Sequence, residues 1–99
     1  MHAAIRRYIV ASGREADAIK HAQDGFLPIL QREPDFLAYY FINTGDGEMI
    51  GVSVFQTREG ADRANVLAGD YVREHLANAL NRTTIIEGEV VASSQAPKP

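Results

Sequence analysis

The chain has 99 residues, 45% hydrophobic and 23% charged, with a formal net charge of -3, the composition of one small globular domain. A chain of this length hides roughly 60–68% of its surface on folding, so it holds one core and gains from association. Lys and Arg do not cluster beyond the pair Arg6-Arg7, which sets nucleic acid aside; no apolar run approaches the ~20 residues that span a bilayer; and the lack of cysteine removes disulfides, thiolate chemistry and cysteine metal sites.

Residues 3–10 alternate, with Ile5, Arg7 and Ile9 on one parity and Arg6, Tyr8 and Val10 on the other, the pattern of a strand. Ser12 followed by Glu15 matches a capping box. The helix behind it gathers Ile19, Ala22, Phe26, Ile29 and Leu30 into one arc. Lys20, His21 and Asp24 fall opposite, and His2 and His21 read as solvent-facing. Pro28 removes the hydrogen bond to the Asp24 carbonyl, so a bend or early end is expected. Residues 35–43 form the second strand and 48–56 the third, joined through Asn43-Thr44-Gly45-Asp46-Gly47 as a hairpin. Thr57 caps the second helix, which is expected to run to about Leu80 with Asn81 as its stop. Residues 83–92 form the last strand, where Gly88 predicts a bulge or a close backbone approach. The domain therefore spans 1–92. The remainder, 93–99, is polar and rich in Ser and Pro and is expected to be a disordered tail.

The β-α-β-β-α-β order predicts an α+β, ferredoxin-like fold with an antiparallel sheet. Its helices cover one face of that sheet, and the other face should be polar if it meets water. Instead strand 35–43 is apolar or aromatic on both parities, as are most positions of strand 48–56. A second copy packing sheet to sheet is the simplest cover, so a homodimer is expected. The N-terminus lacks the basic-then-apolar pattern of a signal peptide, and the expected location is cytoplasmic, with no membrane partner.

Several segments carry a family likeness: Phe26-Leu27-Pro28-Ile29-Leu30, then Glu33-Pro34-Asp35-Phe36-Leu37-Ala38-Tyr39-Tyr40, Val52-Ser53-Val54-Phe55-Gln56-Thr57, Ala68-Gly69-Asp70-Tyr71-Val72-Arg73-Glu74-His75-Leu76 and Glu87-Gly88-Glu89-Val90. In order and spacing the chain resembles the antibiotic biosynthesis monooxygenase-like proteins of the dimeric α/β-barrel superfamily. The resemblance implies two sheets forming a barrel with helices outside, and a cavity between sheet and helices in each subunit. Some members oxidise phenols or anthrone-like polyketides with oxygen and no cofactor, and others degrade haem, so membership speaks to shape more than to reaction.

Candidate chemistry centres on His75. It falls inside the inward arc of the second helix marked by Ala61, Ala64, Ala68, Val72 and Ala79, as a proton donor, a ligand or a hydrogen-bonded packing residue. Tyr71 lies one turn earlier, within reach of it. Asn65 flanks the same arc, and Tyr39, Tyr40 and Ser53 are strand candidates for an apolar pocket with a few polar groups. Arg6 and Arg7 point to opposite faces, so one of them enters the cavity or the dimer interface. It either pairs with Glu87 or Glu89 or holds a substrate oxyanion, the role given to Arg7. The expected activity is a cofactor-independent monooxygenase acting on a small electron-rich aromatic, with His75 as base and Tyr71 and Arg7 orienting. The alternatives are a non-catalytic dimer that binds a small apolar ligand, a dimer whose pocket its own side chains fill, and a haem-degrading oxygenase with His75 as axial ligand. Haem-degrading relatives also offer a tryptophan near the place of Asn65 and an asparagine on the first strand, and this chain has neither. No phosphate loop, paired-histidine metal spacing or nucleophile elbow is present, so neither cofactor nor metal is expected.

Overall fold

The computed structural model describes residues 1–94; of the expected tail only Ser93 and Ser94 fall within them. The elements are β1 (His2–Val10), α1 (Glu15–His21), a π-helical turn (Ala22–Phe26), α2 (Leu27–Gln31), β2 (Phe36–Asn43), β3 (Glu48–Phe55), α3 (Arg58–His75) and β4 (Leu80–Glu89). The strands make one antiparallel sheet in the order β2-β3-β1-β4, the ferredoxin-like arrangement expected from the sequence. No described helix is long and apolar enough to cross a membrane.

Alternation along the strands decides which side chains meet the helices. Ala4, Arg6, Tyr8 and Val10 of β1 are buried beneath them, as are Met49, Gly51, Ser53 and Phe55 of β3. Small residues on α3 bring that helix down onto the sheet: Gly60, Ala61, Ala64 and Ala68 are all buried. A Cβ at Gly60 would lie 2.1 Å from an Asp35 oxygen and 2.7 Å from the Phe55 ring. Among the described residues nothing covers the opposite face of the sheet, and Ile9, Tyr40, Ile42 and Ile86 stand exposed on it.

Four local expectations change. The capping box does not form. Gly13 takes φ +81° within a turn closed by Arg14 N–H to the Ala11 carbonyl, so Ser12 sits in that turn and Arg14 starts the helix with no side-chain cap. Where Pro28 supplies no donor, the helix underwinds into the π turn ahead of it instead of stopping, with Leu27 N–H bonded to the Ala22 carbonyl five residues back. α3 ends at His75 rather than near Leu80, because Leu76, Ala79 and Leu80 all turn under the core. The β-bulge on β4 lies at Thr83, between the pairs Arg7–Thr84 and Tyr8–Arg82; at Gly88 an added Cβ would meet open space. The hairpin turn agrees with its sequence: Gly45 and Gly47 have φ +84° and +91°, and Asn43 Oδ1 accepts from Gly45 N–H.

A polar clasp ties the start of β2 to α3. The Thr57 hydroxyl donates to Asp35 and accepts from Gly60 N–H, while Arg63 donates to both Glu33 and Asp35. The Thr57 hydrogen bond, helped by Arg63, holds the Asp35 carboxyl below its usual range. A carboxylate whose pKa is depressed on folding adds stability above its unfolded value and loses it as pH falls through the folded one. The clasp's contribution to stability should therefore be constant above about pH 5 and decline below about pH 4. Asp35→Asn should be less stable at pH 7 and show a shallower acid decline; an unchanged acid profile in that variant would remove Asp35 from the clasp.

Candidate functional site

The inward faces of sheet and helices meet in an aromatic cluster. Tyr8 rises from β1, Tyr39 and Phe41 from β2, Phe26 from the π turn and Tyr71 from α3. Phe26 packs edge-on against Tyr39 with centroids 5.7 Å apart, and lies at the same distance from Tyr71. Between these rings remains a cavity of about 20 Å³, room for one water molecule. A groove of about 200 Å³ opens beside it between α1, the π turn and β2, and it shares Ala22, Tyr39 and Phe41 with the cavity.

At the outer rim a polar cluster joins two helices. The Tyr71 hydroxyl lies 2.7 Å from His21 Nδ1, and His75 tilts against the Tyr71 ring at 4.4 Å and stacks on His21 at 6.0 Å. Burial pushes the Tyr71 pKa up, so the phenol keeps its proton. It donates to Nδ1 whenever that nitrogen is bare. The π turn sets this register. Underwinding spaces the buried line of the first helical segment by four at each step, Ala18, Ala22, Phe26 and Leu30. Ile19 thereby rotates out to 40% exposure. His21 and Gly25, one turn apart, both face Tyr71; a Cβ at Gly25 would lie 1.8 Å from its hydroxyl oxygen.

A second polar cluster lies inside. Arg6 is 1% exposed, and it donates from Nη1 to Asn65 Oδ1 at 3.1 Å and from Nη2 to Ser53 Oγ at 2.6 Å. Its guanidinium sits 5.8 Å from the centre of the Phe26 ring, a cation–π contact. Burial also raises the Tyr39 pKa strongly, against the pull of Arg6.

The sequence candidates thus separate. Tyr71 and Tyr39 line the cavity, and Ser53 and Asn65 converge on Arg6. Tyr40 points to the uncovered face and is 60% exposed, because one step along a strand reverses the side. Arg7 points there too, paired with Glu48 at 2.5 Å. The inward arginine is Arg6, and neutral groups rather than Glu87 or Glu89 receive it. His75 has the right helical phase, but it is the last residue of α3. Its side chain is 48% exposed, with Tyr71 and His21 rather than the sheet against it. Arg6 was legible only as one of two opposed arginines, since both parities of β1 carry apolar neighbours. His21 gave no signal, because a regular helix places it with the polar residues. The groups expected to hold haem do not converge: His75 stands half-exposed at the end of α3, and Asn65 is occupied by Arg6.

No family profile and no curated protein sequence matches the chain. Its fold does match solved structures. It is similar to NE2512, a Nitrosomonas europaea protein of unknown function, at 19% identity and TM-score 0.76, over 98% of this chain and 95% of the other. A Nitrosomonas europaea protein provisionally assigned as an antibiotic biosynthesis monooxygenase aligns at 17% identity and TM-score 0.72, over 93% of this chain and 100% of the other. MupZ from Pseudomonas fluorescens aligns at 17% and 0.71, over 87% and 69%. The chain thus has the fold of antibiotic biosynthesis monooxygenase-type structures, and at these identities the likeness extends to the fold alone.

Gly25→Ala tests the rim geometry. The added methyl overlaps the Tyr71 ring, so a stability loss of about 1–3 kcal/mol is expected from overpacking, measured by urea unfolding. A change within about 0.5 kcal/mol, the scale of a neutral surface substitution, would show that Tyr71 does not rest on Gly25.

Proposed function

We propose that the chain acts as a homodimer, packed through its uncovered sheet face, and that each subunit carries a cofactor-independent monooxygenase-type site for a small electron-rich aromatic. The observation that carries the catalytic half is the 2.7 Å contact between Tyr71 and His21 at an aromatic-walled cavity. In this reading a substrate hydroxyl or acidic C–H gives its proton toward the Tyr71 oxygen. Tyr71 passes its own proton to His21 Nδ1, and the partly exposed imidazole releases it to solvent. His75, stacked on His21 and tilted against Tyr71, positions them. The substrate anion supplies four electrons to O2: its reacting methylene becomes a carbonyl with one oxygen atom, and the second leaves as water with the two hydrogens the carbon gave up.

An oxygen electrode tests this with anthrone, whose methylene is the reacting carbon. Oxygen uptake is expected, falling about 10²–10⁴-fold in His21→Ala, the range general acid–base catalysis supplies, and by less in His75→Ala. Equal rates in His21→Ala and wild type would end the relay. The small cavity favours a second reading, a dimer that binds a small apolar ligand without turnover; saturable binding with no oxygen uptake would select it.

The dimer half rests on Ile9, Tyr40, Ile42 and Ile86, at 46–60% exposure on one face of a four-stranded sheet. Exposed apolar area of this kind marks an interaction surface. Light scattering at micromolar concentration should give the mass of two chains, and the double variant Tyr40→Glu/Ile86→Glu should give one with its circular dichroism retained. A folded wild type with the mass of one chain would exclude the dimer.

A further inference from the structure

The guanidinium of Arg6 is the least expected group in the core. It is charged at any pH a protein meets, it is 99% removed from solvent, and no carboxylate among the described residues touches it. Its two hydrogen bonds end on the neutral oxygens of Ser53 and Asn65, and its Nε–H is buried without an acceptor. The nearest acid along this network is Glu87, held at 3.4 Å from the far side of the Asn65 amide. Glu87 does not touch the guanidinium: it meets the far end of the Asn65 amide and faces His2 at 3.6 Å. A buried cation without an anion costs several kcal/mol, and an aliphatic side chain in its place would be cheaper.

The surroundings say what could reach it. A point one Cβ above Gly51 lies 3.6 Å from Arg6 Nη2 and 3.8 Å from the Tyr39 hydroxyl, so both groups border the space over Gly51. The Tyr39 hydroxyl makes no hydrogen bond to the described residues. Its ring walls both the core cavity and the open groove by the π turn. Arg6 itself lines neither space, so a ligand reaches it only by displacing the Tyr39 ring.

The geometry points to Arg6 as the anchor for a ligand carboxylate: the site takes a one- or two-ring aromatic acid, whose rings replace Tyr39 among Phe26, Phe41 and Tyr71. The carboxylate accepts from the orphaned Nε–H and from Nη2 in the bidentate manner of arginine–carboxylate pairs, and it supplies the missing negative charge. The inference rests on the monooxygenase reading and deepens it by naming the substrate class; Tyr39 is the wall between Arg6 and the cavity used there.

Calorimetric titration of the full chain at pH 7.5 with 2-naphthoate, and separately with its neutral isostere 2-naphthamide, tests the anchor. Naphthoate should bind at least tenfold more tightly and raise the melting temperature where naphthamide does not. Arg6→Met should abolish the preference, and unliganded it should melt at or above the wild-type temperature, since the isolated charge is gone. Equal affinity for acid and amide, or no binding of either up to the solubility limit, overturns the anchor. So does an Arg6→Met protein that keeps the preference or melts well below wild type, which would make Arg6 a structural cation. Should that variant not fold, the wild-type comparison of acid with amide decides alone. Oxygen uptake from a neutral phenol without naphthoate binding would sink the anchor and spare the oxygenase reading. Naphthoate binding without oxygen uptake on any substrate would do the reverse.

Discussion

The centre of this molecule is a positive charge held in an oily place. Arg6 lies on a central strand, under the longest helix, and its bonds to Ser53 and Asn65 stitch β1, β3 and α3 together. Everything near it is arranged around a group that cannot lose its charge. Phe26 presents a ring face, Gly51 leaves space, and the alanines of α3 let the helix approach closely enough for Asn65 to reach. A neutral side chain would pack there at lower cost, and in the proposed site a ligand carboxylate supplies the charge that Ser53 and Asn65 lack.

The rim cluster follows from a backbone irregularity. Pro28 cannot donate, the preceding turn widens, and the register of the first helical segment moves by a fraction of a turn. That shift aims His21 and Gly25 at Tyr71, so one missing N–H in α2 decides which imidazole meets the phenol on α3. π turns of this kind recur at functional sites because they place side chains a regular helix cannot. The wall of the groove is also its least regular element.

The sheet's outer face and its inner face divide the molecule's tasks. Inward positions of β1 and β3 build the Arg6 site and the core, while outward positions of the same strands present an apolar surface. Arg7 and Tyr40 belong to that outer surface, and in the dimer reading they lie at the seam between copies instead of in either cavity.

The sequence by itself determined the order of elements, the antiparallel sheet, the hairpin and the surplus of apolar strand surface. Each follows from local chemistry: alternation of side chains, turn residues that tolerate positive φ, and a threonine cap. It also singled out Tyr71, Tyr39, Ser53 and Asn65, whose types fit a polar-dotted aromatic pocket. Only the tertiary structure decided which of two adjacent arginines turns inward, since both parities of β1 are apolar enough to be core. It alone showed that His75 stands at the helix end and that His21, from an apparently polar stripe, meets Tyr71. Those outcomes depend on where α3 stops and how far a proline unwinds its neighbour. Such differences amount to a residue or less of helical phase, and they are settled by packing between segments distant in the chain, which no local pattern records.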